Sequence, residues 1–259
     1  MKKRTCAVIT AILTGALLCA CAPQNAAPTV ATATQPETAA ETTAPEQRDA
    51  SAKKAFHAAL KTIHDDLVWP VLPDSGKIEI FEPATIDDQQ FAIADVDGDG
   101  EKELIVSVSD TYMAGMCEIV YGYDPANDTV RVEAQAFPGA TYYPGMLKVL
   151  SSHNQGHAGD VLWPYGVLTY DAASDSYQFT CSVDAWDRNL SETDFEGNPY
   201  PEDIDVDNVG HVYLISDGEG DHTLNQADFE EWEAALFAGK EPLDIPWQKL
   251  TKENIDAVG

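Results

Sequence analysis

The chain has 259 residues, with 15 Lys and Arg against 44 Asp and Glu and a formal net charge of −29 at pH 7. That length allows one or two domains. Such an excess of acid argues against nucleic acid as a partner, because phosphate contacts need a basic face, and it repels anionic lipid headgroups, so membrane attachment would have to come from a lipid.

Lys2, Lys3 and Arg4 form a basic start, and Ala7 to Leu18 is an apolar run too short for a membrane span. The run ends in Leu18-Cys19-Ala20-Cys21, which resembles the lipobox of bacterial lipoproteins. That resemblance implies a signal peptide over residues 1–20, cleavage before Cys21, and diacylglycerol on the Cys21 thiol. The protein would then be anchored at the extracytoplasmic face of the bacterial cell membrane. The alternative is a plain secretory signal cut near Ala22, and both readings export the protein. Losing the three basic residues with the signal leaves 12 basic residues against 44 acidic ones, a net −32. Of the five cysteines, Cys6 and Cys19 leave with the signal and Cys21 is acylated. Cys117 and Cys181 remain, as one disulfide or as two buried thiols.

Residues 21–50 are mostly Ala, Thr, Pro, Glu and Gln, with Val30 the one large apolar side chain. Nothing there offsets the entropy of ordering, so the segment reads as a disordered stalk. A flexible chain of about 29 residues holds a domain roughly 30 Å from its anchor. The globular domain is expected over residues 51–259. Its first element is a helix from Ser51 to Leu67, in which Phe56, Leu60, Ile63 and Leu67 share a face. His57 and His64 fall on one face of that helix and read as polar-face histidines, the alternative being a metal site.

Phe91 to Ser109, FAIADVDGDGEKELIVSVS, reads as a strand, a tight acidic loop and a second strand. Strand-like runs and turn residues then alternate to HVYLIS at 211–216, which predicts an antiparallel meander. Within it, Tyr123-Asp124 precedes Asp128 at the same offset that Tyr170-Asp171 precedes Asp175, which points to two related hairpins. The last strong element is a helix over Gln226 to Ala238. Asn225 stands at its N-cap, Asp228 at the third helical position, and Leu224 and Phe229 form a hydrophobic staple. A short helix from Thr251 closes the chain. The fold class is therefore α+β and mostly β, with a helix at either end of the meander.

The acidic loop carries Asp95, Asp97, Asp99, Glu101 and Glu103, with Gly98 and Gly100 between them. A calcium ion takes six to eight oxygens at ~2.3–2.6 Å. Asp at alternate positions of a tight turn aims short carboxylates inward, and the glycines permit the turn. Asp95, Asp97 and Asp99 are the first three ligands. Glu101 offers its main-chain carbonyl, and Glu103 its carboxylate, directly or through water. Without a cation the acids repel, by about 3 kcal/mol per pair at ~5 Å and an effective dielectric of ~20. An EF-hand needs flanking helices and a Glu at the twelfth position, which here is Val106 within a strand. The segment from Phe91 to Val106 instead resembles the FG-GAP (integrin α-type) and VCBS repeats of β-propellers. That resemblance implies a calcium-binding hairpin with these five residues as its ligands and a meander resembling propeller blades. It covers one repeat, and the β region is too short for seven blades. More loosely, the layout is similar to a family of uncharacterised Gram-positive gut-bacterial lipoproteins, which implies no activity.

Two other acidic runs compete as metal sites. Asp217, Glu219 and Asp221, followed by Thr223, Asn225 and Asp228, have EF-hand ligand spacing, but His222 stands where Gly is expected. Asp203, Asp205 and Asp207 alternate in a strand-like approach. No Gly-x-Ser-x-Gly elbow and no phosphate-binding loop is present. His153 and His157 lie in a Gly-containing loop, SHNQGHAGD, without the zincin Glu. Trp163, Tyr165, Trp186 and Tyr200 either stack on sugar rings or fill a β-core. The reading that best accounts for these features is a calcium-binding surface lipoprotein acting as a binding or adhesion module for an extracellular protein or glycan. The alternative is an exported hydrolase, glycan-directed or metal-dependent, using the His153/His157 loop.

Overall fold

Two antiparallel sheets form the body of the protein, and the turn chemistry of the sequence explains most of their connections. The structure is a computed structural model that describes residues 45–72, 76–152 and 158–259. The signal peptide, Cys21, most of the stalk and the His153/His157 loop lie outside the described residues. The described residues all belong to one compact unit, Thr43–Gly259. Among them no helix is long and apolar enough to cross a membrane.

Helix α1 spans Pro45–Lys61 and so begins earlier than the Ser51 expected from its apolar stripe. Its first turn carries Glu46, a favourable charge at a helix N-terminus, and Arg48 there reaches Glu101 of the acidic loop at 2.6 Å. The helix thus extends into residues that composition assigned to the stalk, and a tertiary ion pair holds that stretch to the acidic loop. The helix then widens over Thr62–Asp66, and Leu67 leaves in the left-handed conformation at φ 54°.

The first sheet has the order β11-β1-β2-β3-β4. Its strands are β1 (Gln90–Ala94), β2 (Glu103–Val108), β3 (Cys117–Asp124), β4 (Thr129–Ala136) and β11 (Gln248–Lys249). The second has the order β10-β9-β8-β7-β6-β5. Its strands are β5 (Thr141–Tyr143), β6 (Met146–Leu150), β7 (Tyr165–Asp171), β8 (Ser176–Asp187), β9 (His211–Asp217) and β10 (Gly220–Leu224). Helix α2 (Gln226–Leu236) follows its expected cap, Asn225, and helix α3 (Lys252–Asp256) begins one residue after the Thr251 start expected from the sequence, with Thr251 as its N-cap. The expected Gln226–Ala238 helix stops at Leu236.

Side-chain alternation along the strands makes four layers. Leu104, Val106 and Val108 of β2 pack with Phe56, Leu60 and Ile63 of α1. Ile105, on the opposite face of β2, packs with Leu147 of β6 and Tyr177 of β8, so this cluster lies between the sheets. On the far side of the second sheet, Tyr165, Val167 and Val183 pack with Phe229 of α2. Glu233 of α2 ties that helix down, accepting from Lys148 Nζ at 2.9 Å and Tyr165 Oη at 2.6 Å.

The two Tyr-Asp hairpins share their geometry. Tyr123 Oη donates to Asp128 Oδ1 at 2.9 Å, and Tyr170 Oη donates to Asp175 Oδ1 at 2.7 Å. Both turn aspartates are left-handed, at φ 49° and 52°. Each hairpin also carries a β-bulge at the same place. Val120 pairs with Ala134 while Tyr121 pairs with Val132, leaving Glu133 as the extra residue of β4. Val167 pairs with Cys181 while Leu168 pairs with Phe179, leaving Thr180 as the extra residue of β8. Each bulge shifts the alternation by one: Val130 packs beneath α1 but Ala134 between the sheets, and Tyr177 packs between the sheets but Cys181 beneath α2.

Candidate metal centre

The β1–β2 loop folds around its own first aspartate. Asp95 Oδ1 accepts from Gly98 N–H at 2.8 Å, and its Oδ2 accepts from Gly100 N–H at 3.1 Å. Gly98 and Gly100 sit at φ 84° and 93°, where a side chain would be strained. Asp97 Oδ1 accepts from Asp99 N–H at 2.9 Å, and Asp99 Oδ1 accepts from Glu101 N–H at 2.7 Å. The turn thereby gathers Asp95, Asp97 and Asp99, with one carboxylate oxygen of each within 4.8 Å of the others. Three converging carboxylates with oxygen donors alone can hold a hard metal ion.

Glu101 is expected to offer its main-chain carbonyl and Glu103 its carboxylate, and their side chains point to partners outside this cluster. The Glu101 side chain pairs with Arg48. Glu103 begins β2, on the face that carries Ile105, and is buried between the sheets, where its Oε2 accepts from Val96 N–H at 2.8 Å. Burial pushes its pKa up to about 9, with the charges of Asp97, Glu133 and Asp99 adding to that rise and the Val96 N–H opposing it. Asp97 is buried too. Its pKa is raised by burial first and by the charges of Asp99 and Asp95.

A second group, not anticipated from the sequence, shares Asp97. Asp97, Glu133 and Asp175 bring one carboxylate oxygen each within 4.8 Å of one another. Glu133 arrives through the β4 bulge and Asp175 through the left-handed turn of the second Tyr-Asp hairpin. Arg131 Nη2 lies 2.7 Å from Glu133 Oε1 and 2.5 Å from Asp175 Oδ2. Burial pushes the Glu133 pKa up to about 8; Arg131 opposes the rise while Asp97 and Asp175 reinforce it. The sequence did mark Asp175, through the Tyr-Asp echo. Nothing in TVRVEAQA marks a bulge.

The remaining sequence candidates resolve without a metal cluster among the described residues. Asp217, Glu219 and Asp221 fall on the tight β9–β10 turn and are not brought together: Asp217 Oδ1 accepts from Glu219 N–H at 2.8 Å and lies 3.1 Å from His222 Nε2. Asp205 is buried in a turn and accepts from the N–H groups of Val209 and Gly210, each at 2.9 Å. Tyr165, Trp186 and Tyr200 are core side chains, whereas Trp163 is exposed. Cys117 and Cys181 are free and buried in different clusters, and burial pushes both thiols up to about 11. Comparison with protein-family models, with curated protein sequences and with solved structures finds no match for this chain.

Proposed function

We propose that the chain is a calcium-binding surface lipoprotein, displayed on the extracytoplasmic face of the bacterial cell membrane. In this reading the β domain is a binding or adhesion module for an extracellular protein or glycan. The observation that carries the calcium part is the convergence of Asp95, Asp97 and Asp99 around a hairpin loop. Their all-oxygen donor set suits a hard divalent cation. The strand-flanked Asp-x-Asp-x-Asp-Gly loop, similar to FG-GAP and VCBS repeats, supports calcium over its competitors. The Leu18-Cys19-Ala20-Cys21 segment supports export and lipid attachment. The ion acts as a clamp: it neutralises carboxylates that otherwise repel, and it ties β1 to β2 in a medium that contains calcium.

Calorimetric titration of the chelator-treated full chain with calcium tests this reading. The expected result is saturable heat that Asp97→Ala abolishes. No heat, together with an unchanged melting temperature on chelation, overturns it. If the loop binds at ~10 μM and the medium holds ~1 mM calcium, the ion stabilises the fold by about 2.7 kcal/mol. For a domain of this size chelation then lowers the melting temperature by roughly 5–10 °C. The lipid part has its own measurement: cells fed radioactive palmitate label the wild-type chain and leave Cys21→Ala unlabelled.

A further inference from the structure

The group at Asp97, Glu133 and Asp175 is built differently from the exposed loop beside it. It lies where the two sheets face each other, and its three residues come from the β1–β2 loop, the β4 bulge and the β7–β8 turn. The Glu133 side chain is 1% exposed, yet its Oε2 has no hydrogen-bond partner among the described residues. The hydroxyl of buried Tyr177 also lacks a partner among the described residues, and it lies close enough to Asp97, Glu103 and Glu133 to feel their charges. An unpartnered buried carboxylate oxygen costs a folded protein the desolvation of that group, and more so when it is charged. Two such buried oxygens thus lie beside one group of converging carboxylates.

The backbone makes room for that group. Gly122 of β3 pairs with Arg131 across the ladder, and a Cβ there would collide with Glu133 Oε1 and come within 2.7 Å of Arg131 Nη2. The bulge at Glu133 keeps this carboxylate on the inter-sheet side while Ala134 also packs there. The equivalent place in the β7–β8 hairpin shows the contrast. Thr169 stands for Gly122 and Thr180 for Glu133, and their hydroxyls satisfy each other at 2.7 Å. The same fold element is therefore closed by neutral partners in one hairpin and left as an open acidic cradle in the other.

We propose that Asp97, Glu133 and Asp175 form a second divalent-cation site, between the two sheets, sharing Asp97 with the β1–β2 loop. The oxygen-only donors select a hard cation, calcium or magnesium, over softer metals. Arg131 neutralises part of the cluster from one side, through Glu133 Oε1 and Asp175 Oδ2. The ion occupies the side left to Glu133 Oε2. Where the loop ion clamps two neighbouring strands, this one ties the first sheet to the second. Both charged ends of the tie, Glu133 and Asp175, belong to the paired hairpins.

Equilibrium dialysis of the full chain against radioactive calcium, for wild type, Asp99→Asn, Glu133→Gln and Asp175→Asn, separates the two sites. Asp175 is 43% exposed, so its amide variant keeps the fold even where Glu133→Gln does not; near-ultraviolet circular dichroism verifies this. The expected result is two ions per chain in wild type and one in each variant. Gly122→Ala, which fills the cradle, also loses one. Two ions retained in both Glu133→Gln and Asp175→Asn overturn the inter-sheet site. So does a single wild-type ion that Asp99→Asn removes and the other two variants keep, an outcome that leaves the loop reading standing. A single ion lost in all three variants means one shared site and overturns a separate one. A single ion lost only in Glu133→Gln and Asp175→Asn supports the inter-sheet site and sinks the loop. No bound ion overturns both.

Discussion

Single residues decide the chemistry of this protein through the space and partners they are given. Gly122 is one. A methyl group there meets a carboxylate and a guanidinium that are both held by other contacts, so Gly122→Ala is expected to cost about 1–3 kcal/mol in urea unfolding. His64 is another. Its Nδ1 lies 2.7 Å from Asp65 and its Nε2 2.9 Å from Asp87, which joins the end of α1 to the turn before β1. Burial lowers its pKa, but the two carboxylates outweigh burial and raise it above 6.5. The folded state therefore binds this proton more tightly than the unfolded chain does. Its stabilisation is complete below about pH 6.5 and disappears as pH rises through the raised value. Melting temperatures of wild type and His64→Gln should differ at pH 5.5, by about 1 kcal/mol in stability, and converge at alkaline pH. The five loop acids could be found in the sequence because their spacing is local. Glu133 could not, because nothing local says that one strand carries an extra residue.

Among the elements, helix α2 follows the expectations most closely. Asn225 accepts from Asp228 N–H at 2.9 Å, as its N-cap position requires, and Leu224 and Phe229 both enter the cluster beneath the helix. Asn225→Ala is expected to cost about 1 kcal/mol by thermal denaturation, with α2 the first element to lose hydrogen-exchange protection. Helix α1 shows the opposite case. Its apolar stripe begins near Ser51, so the sequence places its start there. The helix runs back to Pro45, and in that added stretch Arg48 reaches Glu101 at the acidic loop. That partner is more than fifty residues away, beyond the reach of any local pattern. The Tyr-Asp hairpins lie between these cases. Their turns repeat visibly in the sequence, while the matched bulges that set the faces of β4 and β8 do not.

For the whole molecule, the packed seam between the sheets carries the stability. Leu147 is fully buried there with Ile105, Val120 and Tyr177. Leu147→Ala is expected to cost about 2–5 kcal/mol, lowering the urea midpoint with little change in slope. Because the seam is shared by both sheets, fluorescence and circular dichroism should report one transition. Two separate transitions would show that the sheets unfold independently.

By itself the sequence determined the class of fold, the capped helix α2 and the short final helix, the turn residues of the paired hairpins and the acidic loop. Each depends on residues close in the chain, through periodicity, capping or backbone preference. Only the tertiary structure decided which faces the strands bury and where the bulges fall. It alone placed Glu103 between the sheets and brought Glu133 and Asp175 to Asp97. Those outcomes depend on strand register and on the packing of one sheet against another, which join residues far apart in sequence and leave no local trace.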